Sequence, residues 1–127
     1  MSVCDRRCQR EEPLGGRSTI SIALPEPIAA YFAAEKTGDA DALALCFAEH
    51  GVVRDEGGTF TGVTAIREWN AAARLKYHHT VEPLSALERD GQTIVIGRVS
   101  GDFPNSPLSL EHVFVLEGDK IATLEIR

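Results

Sequence analysis

The sequence predicts an α+β domain in which three N-terminal helices pack on one face of a curved, mostly antiparallel sheet. Apolar residues recur at helical spacing between residues 25 and 76. After residue 76, four segments rich in Val, Ile, Leu and Thr follow one another. Helices of this kind must bury their apolar stripes, and a sheet that follows them in the chain offers the surface. A chain of 127 residues suffices for one such domain.

The N-terminal residues differ in composition from the rest of the chain. Residues 1–24 are predicted to be a flexible leader, and residues 25–127 the folded domain. The leader combines charged residues with Pro13, Gly15 and Gly16, and holds too little apolar content to form a core. It also carries Cys4 and Cys8, whereas Cys46 lies among apolar residues and is expected to pack in the core.

Three helices are predicted from caps and apolar spacing. The first begins at Pro25 and Pro27 and ends at Gly38. Asp39 is expected to cap the second, whose apolar face is formed by Ala42, Leu43, Cys46 and Phe47. Thr64 is expected to cap the third, whose stripe consists of Ile66, Trp69 and Ala73.

The strands are bounded by turn residues. Short strands are predicted at residues 50–55 and 59–61, separated by a Glu-Gly-Gly turn. Longer strands follow at residues 77–89, 92–102, 107–117 and 120–127. Because turn signals separate consecutive strands, the last four are predicted to form an antiparallel meander.

Charge and composition exclude several classes of function. The net charge of −6 and the scattered basic residues argue against nucleic-acid binding. No apolar stretch approaches the length that spans a bilayer, so no membrane association is expected. Free thiols and the lack of an apolar signal region favour the cytoplasm. No cofactor is expected and no metal site either, because the adjacent His78 and His79 cannot both face one side of a strand.

Three stretches together resemble a known superfamily: YFAAEKTGD at residues 31–39, ALCFAEH at 44–50 and FTGVTAIREW at 60–69. They resemble the nuclear transport factor 2-like superfamily, and more narrowly its SnoaL-like polyketide cyclase and ketosteroid isomerase branch. The resemblance implies a cone-shaped fold that encloses a pocket. It does not imply one reaction, because this superfamily hosts isomerases, dehydratases, cyclases and non-catalytic proteins.

The resemblance to the isomerases implies three catalytic residues. Those enzymes combine a carboxylate base with a tyrosine and a protonated carboxylic acid as donors. The corresponding positions are Asp55 for the base, with Tyr31 and Glu111 for the donors. From the residues alone, Asp55 is also a good turn residue, and Tyr31 could be a core residue whose hydroxyl binds the backbone.

Arg98 and Trp69 are the candidate ligand-binding residues. By strand periodicity Glu111 shares a face with Ser109, Val113 and Val115, and the resemblance implies that this face meets the pocket. Arg98 on the neighbouring strand could then pair with Glu111. The isomerases have an apolar residue at the position of Arg98, so an ion pair there would favour an anionic or carbonyl-bearing ligand. Alternatively, Arg98 is a surface residue. Trp69 is expected in the pocket wall or the core.

Three hypotheses for function follow. The first is a cofactor-independent isomerase or cyclase that acts on a small hydrophobic carbonyl compound of steroid or polyketide type. The second is a non-catalytic binding or accessory protein, and the third is an interaction module whose pocket is filled by its own side chains. A homodimer is expected through the outer sheet face, for which the sequence suggests Leu110, Phe114 and Leu116.

Overall fold

The structure is a computed structural model that describes residues 23–127. The predicted leader therefore lies almost entirely outside the described residues. The helices and strands, in chain order, are α1 Glu26–Thr37, α2 Ala40–Ala44, β1 Phe47–Asp55, β2 Gly58–Thr61, α3 Val63–Tyr77, β3 Thr80–Arg89, β4 Gln92–Ser100, β5 Leu108–Glu117 and β6 Lys120–Ile126. None of the helices in this part of the chain is long and apolar enough to cross a membrane.

The first two helices end and begin where the sequence indicates. Gly38 adopts φ +76°, a left-handed conformation that glycine tolerates, and its N–H bonds to the carbonyls of Ala34 and Glu35 at the end of α1. Asp39 caps α2, because its side chain accepts a hydrogen bond from the N–H of Ala42.

Two predictions about the helices are wrong. Helix α2 ends at Ala44, so Cys46 and Phe47 do not belong to it. Phe47 instead begins β1 and pairs with Ile121, and this position in the sheet leaves its side chain only 3% exposed. Thr64 does not cap α3, since the residue before the helix is Gly62, at φ +93°.

Six strands form one sheet in the order β2-β1-β6-β5-β4-β3. Only β1 and β6 pair in parallel, and the other neighbours are antiparallel. The helices pack on one face of this curved, open sheet, which confirms the predicted α+β class and the meander of the last four strands. Strand β3 begins at Thr80, later than predicted, because α3 continues to Tyr77 and His78 closes it with a left-handed turn.

The core lies between the helices and the inner face of the sheet, which we define as the face toward the helices. On β5 this face carries His112 and Phe114, paired with Val95 and Thr93 of β4. These residues are buried together with Ile28, Tyr31 and Phe32 of α1. The outer face of β5 carries Glu111, so the sequence-based assignment of the two faces of this strand is wrong.

Candidate functional site

A pocket of about 170 Å³ lies between α3, the end of β1 and the inner face of β3 to β6. Its wall combines three kinds of side chain. The polar ones are Glu35, Asp55, Glu56, His79 and His112. The aromatic ones are Trp69, Tyr77 and Phe103. The aliphatic ones are Ala73, Val81, Val99, Leu108, Leu110 and Ile126. The side chains around the pocket leave this volume open, whereas an interaction module of the kind considered above would fill it with its own side chains.

Asp55 is the last residue of β1, and its carboxyl group lies in the pocket wall. The indole Nε1–H of Trp69 donates a hydrogen bond to its Oδ2 at 3.1 Å. Burial raises the pKa of Asp55 above its usual value, and although the Trp69 hydrogen bond opposes this, the nearby charge of Glu56 adds to it. A carboxylate in such a place is a stronger base than one in water, which suits it to accept a proton.

Glu35, on α1, is the most extensively bonded carboxylate of the site and is only 4% exposed. Arg74 Nη2 of α3 donates to its Oε1 at 3.0 Å, and the Tyr31 hydroxyl lies 3.4 Å from its Oε2. His79 Nε2 lies 3.3 Å from Oε1 and 3.4 Å from Oε2. Burial alone would raise the pKa of Glu35, but the hydrogen bond and charge of His79 and the charge of Arg74 lower it overall. Glu35 is therefore an ionised carboxylate in the wall of the pocket.

Tyr31 is fully buried and does not line the pocket. Its ring makes edge-to-face contacts with Phe32, Phe47 and Phe114. Burial, followed by the negative charge of Glu35, raises its pKa well above 10. The structure thus places Tyr31 in the core, where its hydroxyl supports Glu35 rather than facing a ligand.

The structure does not bring Glu111 and Arg98 to the pocket. Both lie on the outer face of the sheet, where Glu111 accepts a hydrogen bond from Arg127 Nε at 3.2 Å. Arg98 donates to Glu82 at 2.7 Å, so the predicted Arg98–Glu111 pair is not formed. Trp69 does lie in the pocket wall and contacts Asp55 directly.

The pocket is lined by two histidines that the sequence did not indicate as site residues. His112 follows Glu111 and occupies the inward position, so one step along β5 separates the predicted residue from the one that faces the pocket. Burial lowers the pKa of His112, and its Nδ1 lies 3.3 Å from the carbonyl of Leu110. His79 also lines the pocket, while His78 points away and contacts Asp102 at 2.9 Å. Their adjacency predicted that they would diverge, but not which one would face inward.

Within residues 23–127, no group of three or more His, Cys, Asp or Glu side chains is placed to hold a metal ion. The site thus combines Asp55, a carboxyl group that can accept a proton, with the imidazole of His79, which is bound to the buried carboxylate of Glu35. Apolar side chains form most of the remaining wall.

Solved structures with the same fold include proteins described as polyketide cyclases or isomerase-like. A predicted polyketide cyclase from Sinorhizobium meliloti is 39% identical with a TM-score of 0.79, and the match covers 82% of this chain and 95% of that one. A protein of ketosteroid isomerase-like fold from Catenulispora acidiphila, solved with trimethylamine, is 21% identical with a TM-score of 0.72, covering 83% and 86%. TerC, crystallised with polyporic acid, is 18% identical with a TM-score of 0.70, covering 80% and 88%.

No protein of curated function gives a significant match to the sequence. The family model of the SnoaL-like domain matches residues 28–124, which span α1 to β6 and include every pocket residue named above except Ile126. The chain therefore belongs to the SnoaL-like family.

Proposed function

We propose that this protein is a cofactor-independent enzyme that removes a proton next to a carbonyl group, as an isomerase or a cyclase. The observation that carries the proposal is Asp55, a carboxyl group of raised pKa in a largely apolar pocket. Proton abstraction beside a carbonyl needs a base of this kind, held away from bulk water. The Trp69 hydrogen bond to Oδ2 fixes the carboxyl group in the pocket wall.

The size of the pocket indicates a small substrate. About 170 Å³ is less than the roughly 300–1,000 Å³ of pockets for drug-sized ligands. A compound of one or two rings suits this volume better than a tetracyclic steroid, which would extend through the opening. The aromatic and aliphatic wall favours a hydrophobic ring system. In support, TerC was crystallised with polyporic acid, and the Sinorhizobium relative is described as a predicted polyketide cyclase.

The experiment follows hydrogen exchange at the carbon next to the carbonyl of 2-tetralone, a two-ring ketone, in D₂O by proton NMR. A Δ5-3-ketosteroid serves as a larger second substrate. We expect the wild-type protein to accelerate exchange and Asp55→Asn to lose about 10²- to 10⁴-fold of that acceleration, the usual contribution of a general base. Glu111→Gln is the matched control and should keep the wild-type rate, because Glu111 lies on the outer face.

The same experiment separates the alternative function. If 2-tetralone binds, seen as shifts of pocket resonances, but no exchange occurs above the buffer rate, the protein is a binding or accessory protein rather than an enzyme. Equal exchange rates for wild type and Asp55→Asn would remove Asp55 from the mechanism.

We also propose that two copies associate through the outer face of the sheet, in the cytoplasm. The outer-face side chains proposed from the sequence do not serve, since Phe114 is fully buried and Leu110 lines the pocket. A different apolar strip on the outer face supports the dimer: Leu87, Ile94, Ile96 and Val115. Charged pairs of both signs flank the strip, Glu82 with Arg98 and Glu111 with Arg127, which suits contact with a second copy. The buried free thiol of Cys46 accords with a reducing compartment.

A further inference from the structure

His79 is the pocket residue whose environment most resembles that of a proton-transferring histidine. It directly precedes β3, and its side chain is 10% exposed. Both contacts of its Nε2 are to the carboxylate of Glu35. Because an ionised carboxylate can only accept hydrogen bonds, Nε2 must carry the hydrogen. Nδ1 is then the ring nitrogen that is left for a ligand, since no residue within 23–127 bonds to it.

Glu35 is in turn fixed by residues from two helices. Arg74 donates both to its carboxylate and to its backbone carbonyl, at 3.0 and 3.2 Å. Arg74 is itself held by Asn70 Oδ1 at 2.9 Å, and the Tyr31 hydroxyl reaches the other carboxylate oxygen. A carboxylate held in this way orients the imidazole that it binds and balances the charge of the protonated ring.

We propose that His79 is the second proton-transferring residue of the site and that Glu35 is its positioning residue. This inference rests on the proposed function. Asp55 takes the proton from the carbon next to the carbonyl, and the protonated His79 donates its Nδ1 proton to the carbonyl oxygen, which gives the enol. In an isomerisation, Asp55 then returns its proton to another carbon of the enol while His79 recovers the proton from the oxygen. Both residues end as they began.

The other polar residues of the pocket are less suited to this role. His112 is 1% exposed, and burial holds it in the neutral form with Nδ1 directed to the Leu110 carbonyl. The Tyr77 hydroxyl donates to Glu56 at 3.1 Å, near the surface. Tyr31 does not reach the pocket. His79 is thus the donor that the site offers to a carbonyl oxygen.

The experiment uses 4-nitrophenol, a one-ring probe whose anion imitates the developing oxyanion and whose absorbance reports its ionisation. We expect wild type to bind the anion, and His79→Leu to bind it about tenfold or more weakly, as expected for the loss of a hydrogen bond to a charged oxygen. His78→Gln is the matched control, because the adjacent ring is exposed outside the pocket. The titration is followed with pH. The ionisable groups around His79 are Glu35, which it contacts, Tyr31 and Arg74, which bond to Glu35, and those that share the pocket wall: Asp55, Glu56, Tyr77 and His112.

A second measurement reads the ring itself. In nitrogen-15 NMR of labelled histidine, the neutral form of the His79 ring should carry its hydrogen on Nε2, and Glu35→Gln should shift that resonance, which a purely structural role of Glu35 would not require. A neutral form that carries its hydrogen on Nδ1 instead, or equal affinity of wild type and His79→Leu for the anion, would overturn the inference. If tetralone exchange is absent but anion binding depends on His79, the proposed function is overturned. If exchange occurs but anion binding does not depend on His79, this inference alone is overturned.

Discussion

Two carboxylates of the same pocket differ in pKa direction because their neighbours differ. Asp55 has a single side-chain donor, the Trp69 indole, and burial prevails, so its pKa is raised. Glu35 is more deeply buried, yet His79 and Arg74 outweigh the burial and its pKa is lowered. Pairs of titratable groups with opposite shifts are typical of sites that need an acid and a base. Here Asp55 is suited to accept a proton and Glu35 to remain charged.

The raised pKa of Asp55 predicts how stability changes with pH. Between the unfolded pKa of about 3.9 and the higher folded pKa, the native state binds more protons than the unfolded state. Ionised Asp55 therefore costs stability, and this cost grows as the pH rises through that window. We expect Asp55→Asn to be more stable than wild type in urea unfolding at pH 7, with the difference shrinking toward pH 4. A difference that is the same at both pH values would contradict the assigned shift.

We expect truncation of Arg74 to lower the stability of the protein strongly. Arg74→Ala removes the cation from Glu35, whose side chain is 3% exposed, and leaves that charge buried with less compensation. Breaking such a pair from one side costs about 3–5 kcal/mol in the free energy of unfolding. Arg67→Ala, on the same helix, is the control, because Arg67 and Asp41 are both exposed and their pair should contribute about 1 kcal/mol or less. Similar losses in urea unfolding for the two variants would show that Glu35 does not depend on Arg74.

At the scale of elements, β5 shows where a periodic pattern stops being informative. Residues 108–116 are apolar on both faces, so alternation gives no sign of which face meets the helices. The register with β4 decides it, because Phe114 pairs with Thr93 and His112 with Val95 on the inner face. If the face of a strand is assigned one residue out of step, every inward-facing side chain is taken for an outward-facing one. This error places Glu111 in the pocket and His112 outside it.

The surroundings of Gly97 predict that β4 tolerates no side chain at this one position. A Cβ at this position would lie 2.8 Å from His112 Cε1 and 3.1 Å from Val81 Cγ1. Gly97→Ala must therefore displace the ring of His112, which lines the pocket, at a cost of about 1–3 kcal/mol. We expect lower thermal stability together with weaker binding of 4-nitrophenol. Arg98→Ala, the next residue but on the outer face, should change stability by about 0.5 kcal/mol or less. Unchanged binding by a folded Gly97→Ala protein would contradict this packing.

At the scale of the molecule, the fold could be predicted because its signals are local. Proline, glycine and aspartate mark the ends of α1 and the start of α2, and turn residues separate the meander strands. The polar network could not be predicted in the same way. Glu35, Arg74 and His79 come from α1, α3 and the start of β3, and no spacing along the chain shows that they meet. Asp55 was found because the family resemblance supplied its position, not because its neighbours are distinctive.

The outer face of the sheet predicts the assembly of the molecule. Ile96 lies on that face between Ser85 of β3 and Glu111 of β5, within the strip of Leu87, Ile94 and Val115. If two copies bury this strip against each other, Ile96→Glu places a charge in an apolar contact and should separate them. We expect sedimentation equilibrium to give a mass near twice 13.8 kDa for wild type and near 13.8 kDa for the variant. Leu45→Glu is the control, because Leu45 is equally apolar and 63% exposed but lies between α2 and β1. It should leave the dimer intact, whereas a monomeric wild type, or a dimer that survives Ile96→Glu, would contradict association through this face.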